Sequence, residues 1–180
     1  MENVISNTYT TFFHNYGGFN RWLGIMGRIL ERMEKKMRFL CIDPGLSGTG
    51  IAVFNERKLV AWRNIYPKGE TFQEKAVDVC REIPLGFHTA FCEWPTGNFG
   101  GAKALAARNS DAILKLCFLI GKLSTQFNEF NLVPVIKWKG QLKKEITQKR
   151  AEEFFHQKGF TSHCSDAVGI GKYVLQNNLI

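Results

Sequence analysis

The chain has 180 residues, a net charge of +8 and 44% hydrophobic residues, which is enough for one domain with a sizeable core. No apolar run approaches the roughly 18 to 20 residues that span a bilayer, and the N-terminus lacks the compact basic and apolar regions of a secretory signal, so a membrane role is not expected and the expected compartment is the cytosol. Cys41, Cys80, Cys92, Cys117 and Cys164 are scattered without CxxC spacing, which argues against a disulfide framework or a zinc site and for reduced thiols, mostly in the core.

In chain order, Met1 to Gly18 is polar and aromatic without a period. Phe19 to Arg38 reads as a basic amphipathic helix with Trp22, Leu23, Met26, Ile29, Leu30 and Met33 on one side. This segment fits an added packing or DNA-contacting element, a leader for organellar targeting, or a start-site artefact, because Met37 stands directly before the first predicted strand. The expected organisation is therefore an extension over 1–36 and a domain over 37–180. Strands are predicted at Arg38 to Asp43, Thr49 to Phe54 and Lys58 to Ile65, the last two forming a hairpin. A helix over Thr71 to Arg81 is closed by Pro84 and Gly86. Thr89 to Glu93 is a fourth strand. The glycine-rich TGNFGG loop leads into a long helix from about Ala102 to Gln126, and Phe130 to Trp138 reads as a fifth strand. Two helices close the chain, Glu145 to Gln157 and Cys164 to Asn177. This order predicts an α/β fold, a mixed five-stranded sheet with helices on its faces, in the ribonuclease H-like arrangement.

Two of the apolar strands end on carboxylates, Asp43 and Glu93, and the first and fourth strands would be neighbours in such a sheet. Burying an unpaired carboxylate is costly. In HCSDAVGIGKY, His163 and Asp166 lie three apart at a helix start and share a face, beside a buried stripe of Ala167, Ile170 and Val174. Three carboxylates and an imidazole on one spot repel one another unless a cation intervenes. Hard oxygen donors suit magnesium or manganese, and two such ions roughly 3.5 to 4 Å apart are the general solution to phosphodiester hydrolysis. Each residue also has a plainer account: an Asx turn for Asp43, a lysine partner for Glu93, a satisfied helix-start histidine for His163, and a helix-dipole complement for Asp166. The charge is polarised as well. Lys137, Lys139, Lys143, Lys144, Lys149, Arg150 and Lys158 stand against Glu145, Glu152 and Glu153, whereas Glu70 to Glu82 runs acidic. Such a surface fits one face on a phosphate backbone.

The segment from about Met37 to Asn177 resembles the RuvC-type Holliday-junction resolvases, particularly their phage-encoded branch. The carrying residues are IDPGLSGTGIAVF, the glutamate of FCEWP, ARNSDAILKLC, the lysines around WKGQLKKE and the terminal HCSDA. The resemblance implies an endodeoxyribonuclease that resolves four-way DNA junctions by paired nicks, as a homodimer with one metal-dependent site per subunit and no nucleotide cofactor. It implies that Asp43 bridges two Mg2+ ions, with Mn2+ as a substitute, that Glu93 and Asp166 bind them, that His163 completes the metal site, and that Lys139 lies near the scissile phosphate. Lys143 and Lys144 are expected as DNA-backbone contacts. The family's bacterial members carry an aromatic wedge three residues after the glutamate, where this chain has Thr96. Trp94 or Phe99 could instead stack on an unpaired base, or pack the loop. Apolar Ile113, Leu114, Leu116 and Cys117 make the long helix the expected dimer interface. Competing accounts are an actin-like ATPase or sugar kinase, which needs a second domain copy and a second phosphate loop, a less selective branched-DNA or flap nuclease, and a non-catalytic junction-binding module.

Overall fold

The structure is a computed structural model that describes residues 38–95, 110–140 and 142–180. The predicted extension over 1–36, Thr96 and Phe99 lie outside the described residues. Strands β1 (Arg38–Asp43), β2 (Thr49–Asn55) and β3 (Lys58–Ile65) are followed by helix α1 (Phe72–Glu82), β4 (Thr89–Trp94), α2 (Ser110–Ser124), β5 (Glu129–Pro134), the single turn α3 (Val135–Trp138), α4 (Lys144–Phe155) and α5 (Ser162–Gln176). The sheet order is β3-β2-β1-β4-β5. β1, β4 and β5 run parallel, and β2 is antiparallel to both of its neighbours, β1 and β3. Among the described residues, no helix is long and apolar enough to cross a membrane.

Strand parity sorts the core into two layers. Leu40 and Ile42 of β1 and Ala90 and Cys92 of β4 join Val79 of α1 and Leu119, Ile120 and Leu123 of α2 on one face. Phe39, Cys41 and Phe91 join Ala151 of α4 and Ala167, Ile170 and Val174 of α5 on the other. Side chains alternate across a strand, so Asp43, two residues beyond Cys41, and Glu93, two beyond Phe91, both fall on the α5 side. Local signals agree with this frame. Glu74 N–H donates to Thr71 Oγ1 at 3.2 Å while Thr71 N–H donates to Glu74 Oε2 at 3.0 Å, a capping box that starts α1 at Phe72.

The fifth strand is shorter than the apolar run indicates. It ends at Pro134, and Val135–Trp138 coils into one turn closed by Lys139 N–H to Val135 O at 2.9 Å. Pro134 has no N–H to continue a ladder, and β5 is the sheet edge. The turn brings Trp138 over Gly169, where a Cβ would lie 2.5 Å from the indole.

Candidate active site

The site sits at the carboxyl ends of the parallel strands, the edge where open α/β sheets bind ligands. Ile42 pairs with Cys92, so Asp43 and Glu93 leave neighbouring strands side by side. The Pro44–Gly48 turn after Asp43 is tied by Gly45 N–H to Thr49 Oγ1 at 3.2 Å and by Thr49 Oγ1 to Gly45 O at 2.8 Å. The next strand admits α5 only because Gly50 has no side chain: a Cβ there would meet the carbonyl oxygen of His163 at 2.0 Å. That close approach sets His163 and Asp166, on the first turns of α5, against the two strand ends.

Asp43 and Asp166 are both buried. His163 Nδ1 lies 2.9 Å from Asp43 Oδ2. Lys139 Nζ donates to both oxygens of Asp166 at 3.2 and 3.1 Å, and Lys144 Nζ lies 3.5 Å from Asp166 Oδ2. Burial pushes the Asp43 carboxyl up despite the His163 hydrogen bond, and that hydrogen bond raises His163. Burial, then the charges of Asp43 and Asp166, push Glu93 up to about 8. The Trp138 indole N–H favours the ionised Glu93 but stands off from hydrogen-bonding geometry, and its nitrogen is buried without a partner.

Asp43, Glu93, His163, Asp166 and Lys139 therefore come together as one electrostatically coupled group. Among the described residues, no three His, Cys, Asp or Glu side chains stand close enough to hold a metal ion as they are. Lysines take up Asp166 and an imidazole takes up Asp43. The donor set still fits a hard divalent cation. It supplies carboxylate oxygens, and the burial and mutual repulsion that together raise Glu93 are both penalties on negative charge that a cation would relieve.

The expected DNA contacts divide. Lys143 is exposed at the start of α4. Lys144 departs from the expectation of a backbone contact alone, because its ammonium reaches Asp166 inside the site. Trp94 is partly buried and packs against the core layer shared by β1, β4 and α2. On α2, Leu116 likewise turns to the core, while Leu114 and Phe118 are 69% and 44% exposed. Trp138 is the site residue that sequence reasoning missed. Its only signal was the glycine at position 169 that makes room for it.

No protein-family profile matches the chain, and no curated protein matches it in sequence. The fold is that of RuvC. The chain superposes on the RuvC of T. thermophilus in complex with a Holliday junction substrate with a TM-score of 0.60 at 15% identity, over 79% of this chain and 96% of that one. A second structure of Thermus thermophilus RuvC gives 0.56 at 14% identity, over 79% and 97%.

Proposed function

We propose that this chain is a metal-dependent endodeoxyribonuclease that resolves four-way DNA junctions by paired nicks, acting as a homodimer in the cytoplasm and belonging with the phage-encoded resolvases. The observation that carries the reading is the coupling of Asp43, Glu93 and Asp166 with Lys139 at one sheet edge of a RuvC-like fold. The solved neighbour of that fold holds a Holliday junction substrate. A pair of magnesium ions held by Asp43, Glu93, Asp166 and His163, with manganese as a substitute, would activate water and stabilise the leaving oxygen.

The remaining work falls to the chain's own side chains. Asp43 is oriented by His163 Nδ1. Lys139 is held on Asp166 from a position where its ammonium also acts on Glu93, so it is placed to neutralise charge that develops on a phosphate entering the site. Lys143, exposed at the head of α4, adds backbone contact and counterion release. Two-fold symmetric cutting needs two matched sites, and the exposed Leu114 and Phe118 of α2 are the surface assigned to the second subunit.

The test compares wild type with Asp43→Asn on a four-way junction, a fork and linear duplex of matched sequence, with magnesium, manganese or chelator, alongside the solution mass by light scattering. Wild type should be dimeric and cut the junction selectively. Asp43→Asn should lose cleavage while binding persists or tightens, because the amide is a poor bridging ligand and one negative charge facing phosphate is gone. Comparable cutting of all three substrates reduces the assignment to a structure-tolerant nuclease. Full activity of Asp43→Asn, or wild-type inactivity with either metal, refutes it.

A further inference from the structure

Tyr66 follows directly on β3, where Ile65 is fully buried but the tyrosine is 60% exposed. An exposed aromatic side chain is ordinarily free to turn, and this one is tethered. Asn64 Nδ2 lies 2.9 Å from the Tyr66 hydroxyl and 2.7 Å from Thr161 Oγ1. Thr161 is the residue that caps α5, and its carbonyl accepts from Ser165 N–H at 2.8 Å. One amide thus ties the phenol to the head of the helix that carries His163 and Asp166.

The ring also borders the site. A Cβ built on Gly48 would lie 3.0 Å from His163 Cδ2, 3.3 Å from His163 Nε2 and 3.1 Å from Tyr66 Cε1. The imidazole and the phenol therefore both lie against the same bare glycine of the β1–β2 turn. The hydroxyl is engaged by Asn64 while more than half of the residue stays open to solvent. For core packing the ring would be covered, and for a solubilising surface the hydroxyl would be free. A tethered and largely exposed ring beside the site is an arrangement that can stack a base with little entropy lost on binding.

We infer that Tyr66 is a DNA-contacting platform on which a nucleobase next to the cleaved phosphate stacks, so that the strand is positioned against His163 and the carboxylates. The inference rests on the nuclease reading above and deepens it by naming what holds the strand on the β3 side of the site. Every base has a stackable face, so the contact positions the strand without selecting its sequence.

The experiment uses the full chain and a four-way junction carrying 5-iododeoxyuridine at either nucleotide flanking the cut, irradiated in chelator. Cleavage of the same junction in magnesium is measured in parallel. The expected adduct falls on the tryptic segment Asn64–Lys68. Tyr66→Ala should bind about tenfold more weakly, and Tyr66→Phe, which keeps the ring, should bind close to wild type. If wild type cuts the junction but the adduct forms only on other segments, or Tyr66→Ala binds as wild type does, the platform is overturned and the nuclease reading stands. If wild type cuts no branched DNA, the nuclease reading falls and takes the platform with it. The cross-link on wild type needs no substitution, so a variant that failed to fold would not shield the proposal.

Discussion

Two glutamates stand at opposite ends of the β4–β5 ladder and are treated in opposite ways. At the amino end, Glu129 pairs in register with Thr89, accepts from Thr89 Oγ1 at 2.9 Å and lies 3.4 Å from His88 Nε2, with Asn128 Nδ2 2.9 Å from the same imidazole. It is half exposed and surrounded by donors. At the carboxyl end, Glu93 pairs with Val133 and faces two more carboxylates, with a standoff indole and one lysine to moderate them. A carboxylate kept for structure is given its partners by the fold. One that burial and like-charged neighbours leave protonated near neutral pH is not compensated by the fold itself.

The largest expected effect tests that contrast directly. With its carboxyl pushed up to about 8, folded Glu93 binds a proton that the unfolded chain releases near its ordinary value of about 4.3. Between those pH values the native state holds more protons, so stability falls as pH rises. The raised His163 and Asp43 act in the same direction, so only a difference between variants isolates Glu93. Glu93→Gln should melt close to wild type near pH 5 and above it at pH 8, by an amount on the order of a few kcal/mol. Cleavage should be lost. Magnesium should raise the melting temperature of wild type at pH 8 more than that of the variant, because it relieves the same repulsion. Parallel pH–stability curves for the two proteins would remove the basis of the contrast.

A middle-sized effect separates the lysines inside the site from those outside it. Lys139 lies 19% exposed on Asp166, where the proposed reaction would develop charge. Lys139→Ala should lower cleavage by about a hundredfold or more with a much smaller change in junction binding. Lys143→Ala, outside the site, should weaken binding and reduce the slope of log K against log salt by about 1, with the rate on bound junction nearly kept. Equal losses of binding and rate in both variants would erase the distinction.

Much of this arrangement was legible in sequence, for a physical reason. β1 and β4 are apolar runs that stop on Asp43 and Glu93, and His163 and Asp166 share a face beside the Ala167, Ile170 and Val174 stripe, all three of which are fully buried. Apolar runs that end on charge survive only where something compensates it, so they stand out in a string of letters. What did not stand out depends on chain geometry between elements. Val135, Ile136 and Trp138 have strand-like composition, and only the loss of a ladder donor at Pro134 on an edge strand turns them into a helical turn. The reach of Lys144 to Asp166 depends on where α4 begins, and the tether on Tyr66 depends on Asn64 meeting Thr161 across 97 positions of sequence. No local pattern encodes such meetings.

The smallest expected effect lies at the amino end. Glu129→Ala removes the acceptor of Thr89 Oγ1 and the neighbour of His88, and the site is half exposed, so water replaces much of what is lost. The cost should be about 1 kcal/mol, or about 2–4 °C in melting temperature for a chain of this size. The loss should come from the Thr89 hydrogen bond rather than from the active site, and cleavage should be unchanged. Glu129→Gln keeps an acceptor oxygen for Thr89 and should recover most of the loss. That outcome would complete the contrast with Glu93→Gln, in which the same neutralisation should stabilise the protein at pH 8 and abolish its activity. If Glu129→Gln instead raised alkaline stability as Glu93→Gln is expected to, the stabilisation would not be particular to the buried carboxylate cluster, and the contrast between the two glutamates would fail.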